Sequence, residues 1–112
     1  MNLPLGYRYA ASYAGIRQVR RDELALIVSG LPPTAAAVFT TNRVQAAPVR
    51  LARQHLKAAK GLVGAILVNA GNANCANRTG DAVALACCRA AGKLLPYIVV
   101  ARLRKWVKRA AQ

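Results

Sequence analysis

Residues 69–74 read Asn-Ala-Gly-Asn-Ala-Asn and sit between two apolar runs, 63–68 and 82–95. Asparagine carries both an amide donor and a carbonyl acceptor. Asn69, Asn72 and Asn74 can therefore fasten their own turn. Gly71 accepts a positive φ without steric cost, so the turn has a specified backbone shape. Residue chemistry names a shaped loop at the end of a strand, and no more.

Other chemistry-bearing groups are sparse. The acids are Asp22, Glu23 and Asp81, the only histidine is His55, and the cysteines are Cys75, Cys87 and Cys88. No CxxC pair occurs, and a zinc site needs four spaced ligands, so no metal site is expected. No cofactor motif is present either. An odd number of cysteines, two of them adjacent, does not make a disulfide scaffold. Reduced, buried cysteines fit best, with a cytoplasmic location. Cys75 reads as a small structural residue. His55 reads as a packed or half-exposed side chain. Thr40 and Thr41 are not candidate nucleophiles, because a threonine needs a base and an oriented third group. The expected catalytic set is empty.

The elements that position the loop follow from composition. At 112 residues the chain is at most one ordinary domain, and 55% hydrophobic content supports a core. Residues 6–11 suit an edge strand. Residues 24–29 are short, branched and continuously apolar, which predicts a strand buried on both faces. Residues 20–23 form a charged turn. Pro32 and Pro33 make a second turn. Val38, Phe39, Thr40 and Thr41 outweigh the alanines before them, so 35–41 is predicted as strand. Pro48 biases Ala47 away from helix, so 44–49 is expected to be extended. Residues 50–60 carry Leu51, Ala52, His55, Leu56 and Ala59 on one helical side, with Gly61 as the residue that ends the helix. A strand at 63–68 precedes the asparagine loop. Thr79 or Asp81 caps a helix over 82–95, with Val83, Ala84, Cys87, Cys88, Ala91 and Leu95 inward. The pattern is an α/β or α+β layered domain.

Net charge is +14, from 17 Lys+Arg against 3 acids. That balance suits a small basic nucleic-acid-binding protein, or a solvated basic surface. Aromatics do not interleave with the basic residues, and no RNA-binding or zinc-finger motif occurs. No run approaches the roughly 18 apolar residues of a membrane span. The N-terminus shows no secretory pattern.

Residues 22–29, residues 37–49 (AVFTTNRVQAAPV), residues 65–74 (AILVNAGNAN) and the helix after Thr79-Gly80 stand in a specific order. Together they resemble the N-terminal portion of the glutamate N-acetyltransferase / ornithine acetyltransferase family of arginine biosynthesis. The resemblance covers residues 6–95. It implies a partial α/β fold like that of the N-terminal-nucleophile hydrolases. It implies acetyl transfer from N-acetylornithine to glutamate, in some members also from acetyl-CoA, through a threonine nucleophile freed by self-cleavage. A Ser-Thr-Gly segment supplies the oxyanion hole in the family. The resemblance implies that Asn69, Asn72 and Asn74 are candidate residues for binding substrate or supporting that segment, the alternative being that they only fasten their own turn. The family's partners are the C-terminal chain of the same precursor and further copies, in a hetero-oligomer. After Leu95 this sequence departs from the pattern: residues 96–112 hold no Ser, Thr or Gly. Residues 1–95 thus read as an incomplete acetyltransferase-like segment. Residues 96–112 read as a diverging basic tail, as from a truncated or frame-shifted gene. Arg102, Arg104, Lys105, Lys108 and Arg109, with Leu103, Trp106 and Val107, would give that tail a basic amphipathic helix. Such a chain is expected to be inactive alone.

Overall fold

The computed structural model describes residues 3–31, 33–70, 75, 77–95 and 98–101, the last four as backbone. Among the described residues four strands and two helices follow in the order β1 (Tyr7–Ser12), β2 (Leu24–Ser29), α1 (Ala47–Ala58), β3 (Ala65–Asn69), α2 (Gly80–Gly92) and β4 (Ile98–Ala101). The sheet order is β1-β2-β3-β4. β1 and β2 are antiparallel, as are β2 and β3, while β3 and β4 run parallel. A parallel pair needs a long crossover, and α2 supplies it. The predicted α+β layering is present, with β1 at the sheet edge.

Register decides which side chains share a face. Ala10, Leu26 and Leu67 lie in one row across three strands, and Tyr9, Ile27 and Ile66 lie in the next. Successive residues of a strand point to opposite faces. The Leu26–Leu67 row faces the helices. Leu67 and Cys88 are buried there, with Leu24, Leu26, Leu51 and Ala91 packed around them. Val68 is the largest fully buried side chain. Val68 points to the opposite face from Leu67, and that face opens only towards the β1 edge, where Tyr7 and Tyr9 are each 39% exposed. Only Val28 of β2 is buried, so that strand is half-covered and not enclosed on both faces as its composition predicts.

The structure departs from the predicted elements at several points. Residues 35–41 form no strand; the only pairing nearby is a bridge between Thr34 and Leu62. Strand propensity needs a partner backbone, and among the described residues the pairing stops at Ala35, whose N–H donates to Gly61 O. Helix α1 begins at Ala47, three residues before the predicted start, with Pro48 in its first turn. Proline is tolerated there, because its missing N–H would have had no intrahelical partner. The extended residue is Ala46, at φ −64° and ψ 148°. The helix ends through Lys60 and Gly61, both at positive φ, with the Gly61 N–H donating to Leu56 O at 3.0 Å. A Cβ at Gly61 would meet Ala35 O at 3.4 Å.

Helix α2 buries a narrower stripe than predicted. Ala84 and Cys88 are buried, Val83 and Cys87 exposed. Positions 84, 88 and 91 repeat at helical spacing, and 83 and 87 fall one step around the axis. Cys75 is also exposed, so the expectation of buried cysteines holds for Cys88 alone. Neither Thr79 nor Asp81 gives α2 a side-chain cap; Thr79 is the N-cap residue without such a bond. Asn77 Oδ1 instead accepts from the N–H and the hydroxyl of Thr79, both at 3.1 Å. The predicted amphipathic helix within 102–110 lies outside the described residues. β4 lies beyond Leu95, where the sequence was expected to leave the fold.

Burial pushes the Cys88 thiol up to about 11 from 9.0, and the adjacent Cys87 adds to the shift. The folded value lies above the unfolded one. This contribution to stability is therefore complete below pH 9 and is lost as pH rises toward 11. Iodoacetamide at pH 8 should alkylate Cys75 and Cys87 in the native chain and reach Cys88 only under denaturant. Peptide mapping checks this; equal labelling of Cys87 and Cys88 in the native chain would contradict the packing.

Candidate functional site

The end of β3 is where the asparagine loop leaves the sheet. Asn69 is the last residue of β3, opposite Leu24 of β2, and is half-buried. Asn72 and Asn74 lie outside the described residues. The structure thus fixes where the loop starts and which side chains surround that start.

Both backbone groups of Ala70 are held from the segment that joins β1 to β2. Its N–H donates to Glu23 O at 2.8 Å. Its carbonyl accepts from the Arg17 guanidinium at 3.1 Å. The Glu23 N–H donates to Ser12 O at 3.1 Å, which continues the β1–β2 ladder by one residue. Arg17 is itself braced, since its carbonyl accepts from the Tyr13 hydroxyl at 3.0 Å.

Glu23 is the residue that sequence reasoning missed. Assigned to a charged turn, it is only 2% exposed. Its Oε2 accepts the Ile16 N–H at 2.8 Å, across seven residues of chain. Its Oε1 is buried without a hydrogen-bond partner. A buried carboxylate is costly unless bonded, so its single bond to Ile16 ties the 13–23 segment to the sheet end. The available signal was an acid directly before a strand of five apolar residues in six. Composition reads that acid as punctuation, and only the return of residue 16 makes it a core group.

Several hydroxyls of the described residues are engaged locally. Ser12 Oγ donates to Tyr13 O, Ser29 Oγ donates to Leu31 O, and Thr40 Oγ1 accepts the Asn42 N–H. Among the described residues none is hydrogen-bonded to a histidine or a carboxylate. His55 is half-buried on α1, on the predicted side, and its Nδ1 is shielded without a partner. An open depression of about 420 Å³ is lined by Arg17, Gln18, Val19 and Arg21, beside the loop start. Among the described residues no group of three His, Cys, Asp or Glu side chains could hold a metal ion. What the site does chemically is position: it fixes the direction in which the asparagine loop departs.

A sequence profile of the ArgJ family matches residues 8–102. The arginine biosynthesis bifunctional protein ArgJ of Nitratidesulfovibrio vulgaris is 53% identical over 78 residues, 70% of this chain and 19% of that protein. The corresponding protein of Thermosynechococcus vestitus is 54% identical over 76 residues, 68% of this chain and 17% of that protein. The crystal structure of arginine biosynthesis bifunctional protein argJ from Bacillus halodurans is similar with a TM-score of 0.78 at 28% identity, over 91% of this chain and 56% of that one. Ornithine acetyltransferase from Mycobacterium tuberculosis, solved with ornithine, gives 0.69 at 32% identity, over 88% of this chain and 56% of that one. The sheet with its two helices is consistent with the N-terminal-nucleophile-hydrolase-like acetyltransferase fold. The aligned region spans less than a fifth of each of those two curated relatives.

Removing the Glu23 carboxylate leaves the Ile16 N–H part-buried with no acceptor, a loss of about 1–3 kcal/mol. Glu23→Ala should therefore lower the denaturation midpoint and speed hydrogen exchange at Ile16. Unchanged protection at Ile16 would show that the carboxylate does not hold this segment.

Proposed function

Because the chain belongs to the ArgJ family, we propose that it supplies the N-terminal part of a bifunctional acetyltransferase. That enzyme moves an acetyl group from N-acetylornithine to glutamate in arginine biosynthesis, in the cytoplasm. The observation that carries this reading is the family match over residues 8–102, across the loop start held by Arg17 and Glu23. In this role Asn69, Asn72 and Asn74 line or support the substrate side of the loop. The partners are the rest of the ArgJ polypeptide and further copies of the assembly, with N-acetylornithine and glutamate as substrates.

The 112 residues alone are inactive in this reading. Covalent acetyl transfer needs an activated hydroxyl and donors aimed at the developing oxyanion. The described hydroxyls have no base beside them. The purified chain should give no glutamate acetylation from N-acetylornithine above background. Co-expression with the remaining polypeptide of the Nitratidesulfovibrio vulgaris relative should restore it. Turnover by the chain alone would mean that a catalytic group lies within it. An assembled but inactive complex would refute the acetyltransferase reading.

A net charge of +14 favours a second reading, a small basic nucleic-acid-binding protein. Phosphate binding falls steeply with salt. If this reading holds, retention on a polyanionic resin collapses between low and moderate salt, and a duplex DNA probe shows the same dependence. A flat response removes it.

A further inference from the structure

The segment 36–41 has strand composition and no strand partner. A pairing starts beside it: Thr34 bridges Leu62, and the Ala35 N–H donates to Gly61 O at 2.7 Å. The pairing then stops. Among the described residues, 36–41 make no backbone–backbone hydrogen bond. Val38 is fully exposed, and Leu31, Val44 and Leu62 are exposed as well. Backbone N–H groups in a folded protein nearly always find a partner, and here only water is left for them.

The segment is nevertheless anchored from behind. The Arg53 guanidinium lies over the Phe39 ring at 5.0 Å. Thr40 O accepts from Gln45 Nε2 at 3.2 Å and from Arg53 at 3.4 Å. The Asn42 side chain accepts the Val44 N–H at 3.0 Å and closes the turn that follows. A strand-forming hexapeptide is thus held in place with Val38 exposed and its backbone amides unpaired by other backbone.

We propose that residues 36–41 accept a β-strand from the rest of the ArgJ polypeptide, and so form the edge at which the larger enzyme joins this chain. The inference rests on the reading that the chain works as part of a larger acetyltransferase. Strand addition suits the site, because main-chain hydrogen bonds give affinity and alternate side chains give specificity. The relatives supply the length: the matched region is 19% of the Nitratidesulfovibrio vulgaris protein and 56% of the Bacillus halodurans chain. Charge narrows the partner. No acid occurs between Glu23 and Asp81, while Arg43, Arg50, Arg53, Lys57 and Lys60 lie in that stretch. The incoming strand therefore carries apolar side chains against Val38 and acidic residues at its flanks. A second copy is the wrong occupant, since it would set two chains of +14 edge to edge.

The test is hydrogen exchange on the chain alone and co-expressed with the remaining Nitratidesulfovibrio vulgaris polypeptide. The expected result is slowing of the 36–41 amides by about tenfold or more in the complex, as for newly paired strand amides. Val38→Pro should abolish assembly, because proline removes a donor from the ladder, while Val38→Thr should assemble. Far-ultraviolet circular dichroism of the free proline variant should match the wild type, because the position is outside regular structure. A complex in which 36–41 exchange at the free rate overturns the proposal, as does normal assembly of the proline variant. Failure to form any complex, or protection of these amides in a homodimer, also overturns it. Activity is read separately: an active complex with unprotected amides sinks only the strand, and a protected but inactive complex sinks only the acetyltransferase reading.

Discussion

The antiparallel pairing of β2 with β3 runs from Leu24 opposite Asn69 to Val28 opposite Ala65, and most of the molecule is arranged by that register. It turns Leu24, Leu26 and Leu67 to one side, where Leu51 of α1 and Cys88 and Ala91 of α2 cover them. It also ends the pairing at Asn69, so the residue before β2 arrives beside the residue after β3. Glu23 can then take the Ala70 N–H on its backbone and the Ile16 N–H on its side chain. A slip of one residue would exchange the two faces of β2 and move Glu23 away from the loop. Core and candidate site therefore depend on the same five pairs.

What was legible in the sequence followed from local physics. The branched run 24–29 and the run ending at Val68 were readable as strands, because β-branched side chains favour a pleated, half-buried surface. The side of α1 bearing Leu51, Ala52 and Leu56 was readable from helical spacing. The position of Asn69 at a strand end was readable from the apolar run before it. What failed depended on distant partners. Glu23 looks like a surface acid until residue 16 returns to it. Residues 35–41 look like a strand because their composition is one, but a strand exists only with a neighbour. Pro48 misled by one rule where another governed: it disfavours helix at the residue before it, yet fits the first helical turn. The family resemblance rested on four stretches in order, the specific ones being VFTTNRVQAAPV and NAGNAN, which composition alone could not interpret.

The scarcity of acids bears on how the net charge is read. With three carboxylates for 17 Lys+Arg, ion pairs cannot satisfy the guanidinium groups. Arg50 does reach Asp81, at 2.5 Å, but both side chains are exposed, and such pairs contribute little. The arginines turn instead to carbonyls and rings. Arg17 donates to Ala70 O, Arg50 to Gln45 O and Arg53 to Thr40 O. Arg20 lies over Tyr13 and Arg53 over Phe39. These are internal uses, at the loop start and along the 36–45 segment. A nucleic-acid surface needs its cations projecting together into solvent. Here several of them hold backbone that no strand or helix holds. Net charge by itself is therefore no measure of a nucleic-acid surface, because part of it fastens loops within the chain.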